Sequence, residues 1–560
     1  MIAAASGKEQ ADLLITNVRL VNTISGEIHP AEVAVKNGIV LGFENCSSRE
    51  VVDGHGAFLC PGFIEAHIHI ESTLLSPPVC AKTLAAKGTC AVICDPHEIA
   101  NVLGAKGVEY VLNSTRDLPV SIYPMLSSCV PATHLEHSGA SLDVEQMKYL
   151  LKKYPGRFPG LGEMMNFPGV IFADPDVLAK LELTRDMVVD GHAPGLSGRD
   201  LSAYILAGPE SDHECVAIQE AREKLRKGMH IMIRQGTSQH NMAALLPLVS
   251  DRNWHYFSMV SDDRHPQELA EKGHLDENLR QAVSLGLDPV RAVQMVTINP
   301  ARYFGLKRRG AIAPGYRADM VLMDDLKDFC VRNVYLGGRP LEQCSFESAT
   351  RAPGNSMHIK DLSLETFAIP AHGKTVRAIE VIPGQIVTAQ TPATPRIVDG
   401  LAQADHTSDL AKLAVIERHN ATGNTGLGFV RGLGLANGAL ASTVAHDSHN
   451  LIVAGTSDAD MLVAAMAVQR MGGGLVLVQN NSVLASMPLP IAGLMSDQPL
   501  DHVVSSMNRL ATACQTIKIA HPDPFMILSF LALPVIPDLK LTDKGLVDVN
   551  SFELVDLWID

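Results

Sequence analysis

The chain reads as an α/β protein built on a (β/α)8 barrel, with strand-rich segments on either side of the barrel and a further α+β domain at the C-terminal end. Three observations predict this. From Phe58 to about Tyr303, short apolar runs recur, each closing on Gly, Asp or His and leading into a helical pattern; strands that alternate with helices imply a parallel sheet covered on both faces. About eight such strands in roughly 250 residues is the size of a (β/α)8 barrel. Polar residues gather just past the apolar runs, where that fold collects its chemistry.

The elements follow in order. Leu13 to Val21 is apolar and β-branched, and Asn37-Gly38 signals a hairpin between Val33–Val35 and Ile39–Phe43. This β unit, 1–60, carries too little apolar mass to stand alone. The barrel is expected over 61–305, with strands such as Cys90–Cys94, Ser121–Met125, Met187–His192, Met229–Arg234 and Phe257–Asp263. Strands return in Ile312–Met323 and Val331–Gly338, inside a segment 306–350. Residues 351–394, rich in Pro, Ser and Thr in places, read as a linker. The C-terminal domain, 395–560, has apolar runs at Ile452–Gly455 and Gly473–Val478 separated by a helical stretch, Asp458–Met471. Gly472-Gly473-Gly474 matches no phosphate-binding fingerprint and reads as a turn.

Composition narrows the function. A chain of 560 residues with 46% hydrophobic and 19% charged residues has the make-up of an ordinary globular enzyme and exceeds what one core holds. A net charge of −15 argues against a nucleic-acid partner, since phosphate binding needs clustered Lys and Arg. The ten cysteines are scattered without a Cys-x-x-Cys pair, as expected of reduced thiols. No apolar run reaches the length of a membrane span, and the first residues hold no signal core. The expectation is a soluble cytoplasmic protein with neither nucleic-acid nor membrane partners.

The run Pro61 to Glu71 ends a buried strand in two histidines one residue apart. Side chains alternate along a strand, so His67 and His69 share a face and make a pair of metal ligands. Later strand ends add further donors: Glu163 after a small-residue turn, His192 in Asp190-Gly191-His192, His213 in Ser211-Asp212-His213-Glu214, and Asp262 after a clean apolar strand. Each has a plainer reading alone: a loop carboxylate for Glu163, a loop residue for His192, helix N-caps for Ser211 or Asp212 and for Asp262. Taken together and in order, they form a binuclear metal constellation. Glu71, two residues past His69, either reaches a substrate or orients a ligand histidine. Asp95, His97 and Glu98 form another polar cluster at a strand end, partly suited to starting a helix. Arg234 either contacts substrate or pairs with a carboxylate at the barrel mouth. His446-Asp447-Ser448-His449-Asn450 is either a local turn or part of a domain that folds over the mouth and presents His446 and His449 to it.

This order of residues resembles the amidohydrolase superfamily. Pro61–Ser72, Ile93–Val102, Glu163–Val170, His446–Asn450 and Pro488–Ser496 are similar more narrowly to its bacterial adenine deaminase family, over nearly the whole chain. The resemblance implies that 306–350 joins 1–60 in a composite β-sandwich-like domain. It implies that His67, His69 and Asp262 hold one metal, that His192 and His213 hold the other, and that Glu163 bridges them. Two divalent ions are expected, manganese or iron, with zinc compatible. The implied reaction is hydrolytic deamination of adenine to hypoxanthine and ammonia in purine salvage. A metal-bridging hydroxide attacks C6, Asp262 relays the proton, and Glu71 is a second catalytic candidate. Asp95, His97, Glu98, Arg234, His446 and His449 are the candidate substrate contacts, and a homo-oligomer, dimer or larger, is expected. The alternatives are a cyclic-amide hydrolase of the dihydroorotase or hydantoinase kind, or an inactive ligand-sensing relative.

Overall fold

The structure, a computed structural model, describes every residue except Gly384, Ile386, Ala520 and Pro522. Eight parallel strands follow one another around a barrel: Phe63–Ile68, Thr89–Cys94, Ser121–Pro124, Gly160–Met164, Val188–Gly191, Ser211–Asp212, His230–Arg234 and Phe257–Val260. Where ladders are interrupted, single contacts carry the closure. Leu126 bridges Leu161, Glu210 N donates to Val189 O at 2.9 Å, and Ile68 bridges Asp262 to join the first strand to the last. Ile64, Ala66, Ala91, Ile93, Met125, Met232 and Val260 cluster in the interior together with Ala301 and Phe304. Their alternate neighbours, such as Val92, Ile231, Ile233, Phe257 and Met259, pack outward in the main core.

The first strand departs from simple alternation. Its register against Thr89–Cys94 shifts between Glu65 and Ile68. The inward positions are therefore Ile64 and Ala66 below the shift, while Ile68 joins the outer core above it. His67 and His69 do share a face, and the irregularity turns that face into the barrel mouth.

Residues on both sides of the barrel form one eight-stranded sheet. Its path runs Arg339–Pro340, Val331–Leu336, Met320–Met323, Phe58–Pro61, Ala11–Asn22, Glu27–Lys36, Ile39–Gly42, with Ser48–Asp53 also paired to Ala11–Asn22. Asn37 and Gly38 both take positive φ, 49° and 76°, and close a two-residue hairpin whose flanks pair Lys36 with Ile39.

A second eight-stranded sheet organises the C-terminal part, in the order Thr388–Ala393, Val376–Val381, Thr425–Arg431, Leu410–Ile416, Leu451–Gly455, Ala439–Ser442, Gly474–Gln479, Ser482–Pro488. The linker expected over 351–394 is thus corrected, because its second half supplies two strands of this sheet, Val376–Val381 and Thr388–Ala393. The prolines misled: Pro392 sits on the edge strand, where a missing N–H breaks no ladder. The inner strands are apolar on both faces. Leu413, Val415, Ile452, Leu475 and Leu477 face the main core, while Ala414, Ile416, Val453, Val476 and Val478 face the helix Asp458–Met471. That helix starts at a Ser457 cap and ends on Gly472 at φ 76°.

The C-terminal part docks on the barrel mouth. Ser496 N donates to Leu74 O at 2.8 Å, Asn450 Nδ2 to His137 O at 2.7 Å and Thr542 Oγ1 to Leu135 O at 2.7 Å, and His137 pairs with Asp543 at 2.5 Å. Among the described residues, no helix is long and apolar enough to cross a membrane.

Candidate metal centre

Glu163, at the end of the fourth strand, is the hub. Its Oε1 lies 3.2 Å from His69 Nε2 and 3.9 Å from His67 Nε2. Its Oε2 lies 2.6 Å from His192 Nδ1 and 3.2 Å from His213 Nε2. Asp262 Oδ1 completes the first group, 3.2 Å from His69 and 3.8 Å from His67. Oε1 also lies 3.5 Å from His97 Nδ1, so one carboxylate faces three imidazoles with one oxygen and two with the other. The six residues expected to bind metal are brought together from the first, fourth, fifth, sixth and last strand ends. Asp262 takes positive φ, 57°, which an Asp tolerates, and its N–H donates to His67 O at 3.0 Å.

The donor set fits divalent cations. His67 Nε2 is buried and has no hydrogen-bond partner among the described residues, though it points at two carboxylates. Ligand atoms of His67, His69 and Asp262 lie within 4.8 Å of one another, as do those of His67, Glu163 and His213. His69 Nδ1 lies 3.1 Å from Asp95 O; donating there leaves Nε2 as the free donor atom. Burial alone would raise both carboxylates. Instead His192, His213 and His69 hold Glu163 well below the carboxylate range, and His69 with Arg234 does the same for Asp262. Burial and the facing His213 push His67 well down, into its neutral, ligating form.

Residues around the centre brace it. Asp95 accepts from Ser127 Oγ at 2.7 Å and from Glu163 N at 3.0 Å; it holds the backbone of Glu163 and does not line the cavity, correcting its expected substrate contact. Gly162 makes this possible, since a Cβ there would stand 2.1 Å from Asp95 Oδ2. Arg234 pairs with Glu214 and donates to Asp262 Oδ2 at 2.7 Å, so the plainer of its two readings holds, at the cavity wall. Asp212 is the end of the sixth strand and accepts from Ala193 N, Glu214 N and Cys215 N; the next helix is capped at Ala217, not at Ser211 or Asp212. Asp262 caps no helix either, because the following one begins after His265.

Glu71 differs from expectation. The strand ends at Ile68, and His69 precedes a 3-10 turn, Ile70–Thr73, so the alternation that would align Glu71 with His69 has stopped. Its Oε1 accepts from Ile99 N at 3.0 Å, and it does not line the cavity. Burial pushes its carboxyl up to about 7. A catalytic role for Glu71 is thereby corrected to a bracing one.

Above the centre lies a cavity of about 500 Å³. His97, Glu98 and His446 line it, as the candidate contacts require. His449 does not. It is 1% exposed, its Nδ1 accepts from Ala445 N at 3.1 Å, and its Nε2 donates to Glu98 Oε2. His446 Nδ1 binds the other oxygen, Oε1, at 2.7 Å. Burial lowers both histidines, but the Glu98 charge carries His446 up to about 9, while burial prevails at His449, which falls to about 4. Glu98 is thus clamped by two residues of the other domain. The cavity also holds residues that sequence reasoning missed. Glu214 and Asp447 stood beside histidines already singled out. Phe530, Leu533, Val535 and Ile536, which form an apolar roof, gave no signal.

Residues 58–341 match the family model described as "Amidohydrolase family", and residues 385–553 the one described as "Adenine deaminase C-terminal domain". A protein of Oleidesulfovibrio alaskensis named adenine deaminase is 54% identical, over 100% of this chain and 98% of that one. Proteins of the same name from Desulfatibacillum aliphaticivorans and Methanothrix thermoacetophila are 49% and 46% identical, each over 100% of this chain and 99% of the relative. A crystal structure of an adenine deaminase overlaps 59% of this chain and 99% of its own at 17% identity and a TM-score of 0.44, too loose to carry the assignment, which rests on the sequence relatives. The chain belongs to the adenine deaminase family of the metal-dependent amidohydrolases.

Proposed function

We propose that the chain catalyses hydrolytic deamination of adenine to hypoxanthine and ammonia. The observation that carries this reading is Glu163, which presents one oxygen to His67 and His69 and the other to His192 and His213. In this reading His67, His69 and Asp262 hold one divalent ion, His192 and His213 hold a second, and Glu163 holds both. The donors are all imidazole and carboxylate, which suits manganese or iron and is compatible with zinc. When bound, such ions supply Lewis-acid activation of water near neutral pH.

The chain's own groups supply the rest. Asp262, kept ionised by His69 and Arg234, is the base that takes the water proton at its carboxylate and returns one to the departing amino nitrogen. Arg234 holds Asp262 in place through Oδ2, leaving Oδ1 on the side of the histidines. Phe530, Leu533, Val535 and Ile536 offer apolar surface to the flat base and cover it against bulk water. The test combines elemental analysis of protein purified without chelators with an assay of ammonia release, adenine against cyclic amides. Two equivalents of metal with turnover of adenine are expected. Metal-loaded protein that leaves adenine intact would overturn the reading. Asp262→Asn should abolish turnover with the fold intact; unchanged turnover would show that Asp262 is not the base.

A further inference from the structure

The stretch that clamps Glu98 also carries a carboxylate with no task so far. Asp447 lines the cavity from the C-terminal domain, is 2% exposed, and has its Oδ2 buried without a hydrogen-bond partner among the described residues. His446 Nδ1 stands 4.0 Å from its Oδ1 and is already bonded to Glu98. The other acidic side chains at the cavity are engaged: Glu98 by His446 and His449, Glu214 by Arg234, Asp262 by Arg234 and His69, Asp263 by the Ser72 hydroxyl, Glu220 by Lys224, Glu163 by its histidines. The backbone around Asp447 is fixed on both sides, by the two histidine bonds to Glu98 and by Asn450 on His137 O. A buried acceptor that stays unpaired is costly, and an N–H from a ligand relieves the cost.

We propose that Asp447 binds the substrate by accepting a hydrogen bond from the N–H of the purine's five-membered ring. This rests on adenine being the substrate. Adenine has two kinds of donor, the 6-amino group and the ring N–H. The amino group is displaced at the histidine–carboxylate cluster, so the ring N–H is the donor that persists from substrate through to product. A contact kept throughout the reaction lowers KM and leaves kcat nearly unchanged. It also makes the C-terminal domain part of substrate recognition, through an acceptor that favours a base whose ring N–H is free.

The test compares adenine with 9-methyladenine, which has no ring N–H, using wild-type protein and the variants Asp447→Ala and Asp447→Asn. Ammonia release from adenine by the wild type checks the proposed activity on its own. With that in hand, Asp447→Ala is expected to raise the KM for adenine about tenfold or more, with kcat within about twofold. The inhibition constant of 9-methyladenine should change little. Asp447→Asn, nearly isosteric, should fall between, with metal content and unfolding midpoint retained. An unchanged KM, equal weakening of adenine and 9-methyladenine, or a loss confined to kcat would each overturn the proposal. The wild type alone suffices if the variants do not fold, since 9-methyladenine binding as tightly as adenine overturns it too.

Discussion

The two walls of the cavity are built on different plans. The barrel wall presents charged groups from strand ends, and most of them lean on each other: Glu163 on five histidines, Asp262 on His69 and Arg234, Arg234 on Glu214. The C-terminal wall presents Phe530, Leu533, Val535 and Ile536, with Gln385, His446 and Asp447 as the polar residues among the apolar surface. The first plan suits binding cations and moving protons; the second suits holding a flat base and shutting out water. The division implies that variants of the barrel wall should lose chemistry and metal, while variants of the other wall should lose stability or affinity and keep the metal.

The largest effect tests that division at its hub. Glu163→Gln keeps the shape but removes the charge shared by both histidine pairs. Losing an outer partner of a metal ligand already costs tenfold to a hundredfold, so loss of the carboxylate proposed to hold both ions should cut activity by at least about a hundredfold. Elemental analysis should show the metal depleted in the same preparation. Chelation of the wild type should mimic this and lower the unfolding midpoint, because a cation that binds only the folded state stabilises it. If Phe530→Ala shed its metal as completely as Glu163→Gln, the two walls would not be separable.

The clamp on Glu98 comes next. His449→Ala removes the donor to one oxygen of a buried carboxylate and leaves His446 on the other. A hydrogen bond to a charged buried group is worth about 1.5–3 kcal/mol, so the denaturation midpoint should fall by a corresponding amount. Metal content should be retained. Unchanged stability would mean that the pairing between domains at Glu98 contributes nothing to docking.

The same division explains what could be read from the sequence. The barrel wall was legible because its donors follow one another in order at successive strand ends: His67, His69, His192 and Asp262 are marked by a hydrophobic run shortly before them, while Glu163 follows a small-residue turn and His213 the short polar strand Ser211–Asp212. The apolar elements of the second sheet were legible from their hydrophobic pattern, as with Gly473–Val478 and the helix Asp458–Met471. Glu71 misled because periodicity says where side chains point only while the strand lasts, and this one stops at Ile68. Asp95 misled because its position at a strand end says nothing about which way its carboxylate turns; it turns to Ser127 and the backbone of Glu163. Apart from His446, the C-terminal wall was illegible because it is assembled from separate segments, around Val387, His446 and the end of the helix Pro524–Phe530, whose meeting is fixed by tertiary packing alone. Apolar residues such as Leu533 and Ile536 look the same in sequence whether they roof a site or fill a core.

Phe530 offers a milder test. Its ring stacks on His446 at 5.0 Å and 22°, and it lines the cavity. Phe530→Ala should raise the KM for adenine roughly three- to tenfold, the worth of one aromatic contact, and leave kcat and metal content nearly unchanged. A loss of kcat with KM intact would give the roof a part in the chemistry and blur the contrast between the walls.

The smallest effect concerns how firmly the roof is held. Asp523 caps the helix Pro524–Phe530, accepting from Met526 N at 3.0 Å, and lies 3.4 Å from His265 of the barrel. Burial lowers His265, but hydrogen bonding to Asp523 outweighs it and the imidazole is raised above its ordinary value; burial raises Asp523, but His265 and the backbone donors bring it below its own. A raised histidine gives stability that is complete below about pH 6.5 and is lost as pH climbs through the folded-state value. A lowered carboxylate gives stability that is present above about pH 3.9 and is lost as pH falls through its folded-state value. The pair therefore helps most between about pH 4 and 6.5. Asp523 is partly exposed, so screening holds the gain to about 1 kcal/mol or less. His265→Gln should flatten the pH dependence of the unfolding midpoint above pH 6.5 by that amount, with metal content and the Glu98 clamp untouched. A wild-type midpoint that stays level as pH rises from about 6 to 9 would show that this contact does not help to hold the roof.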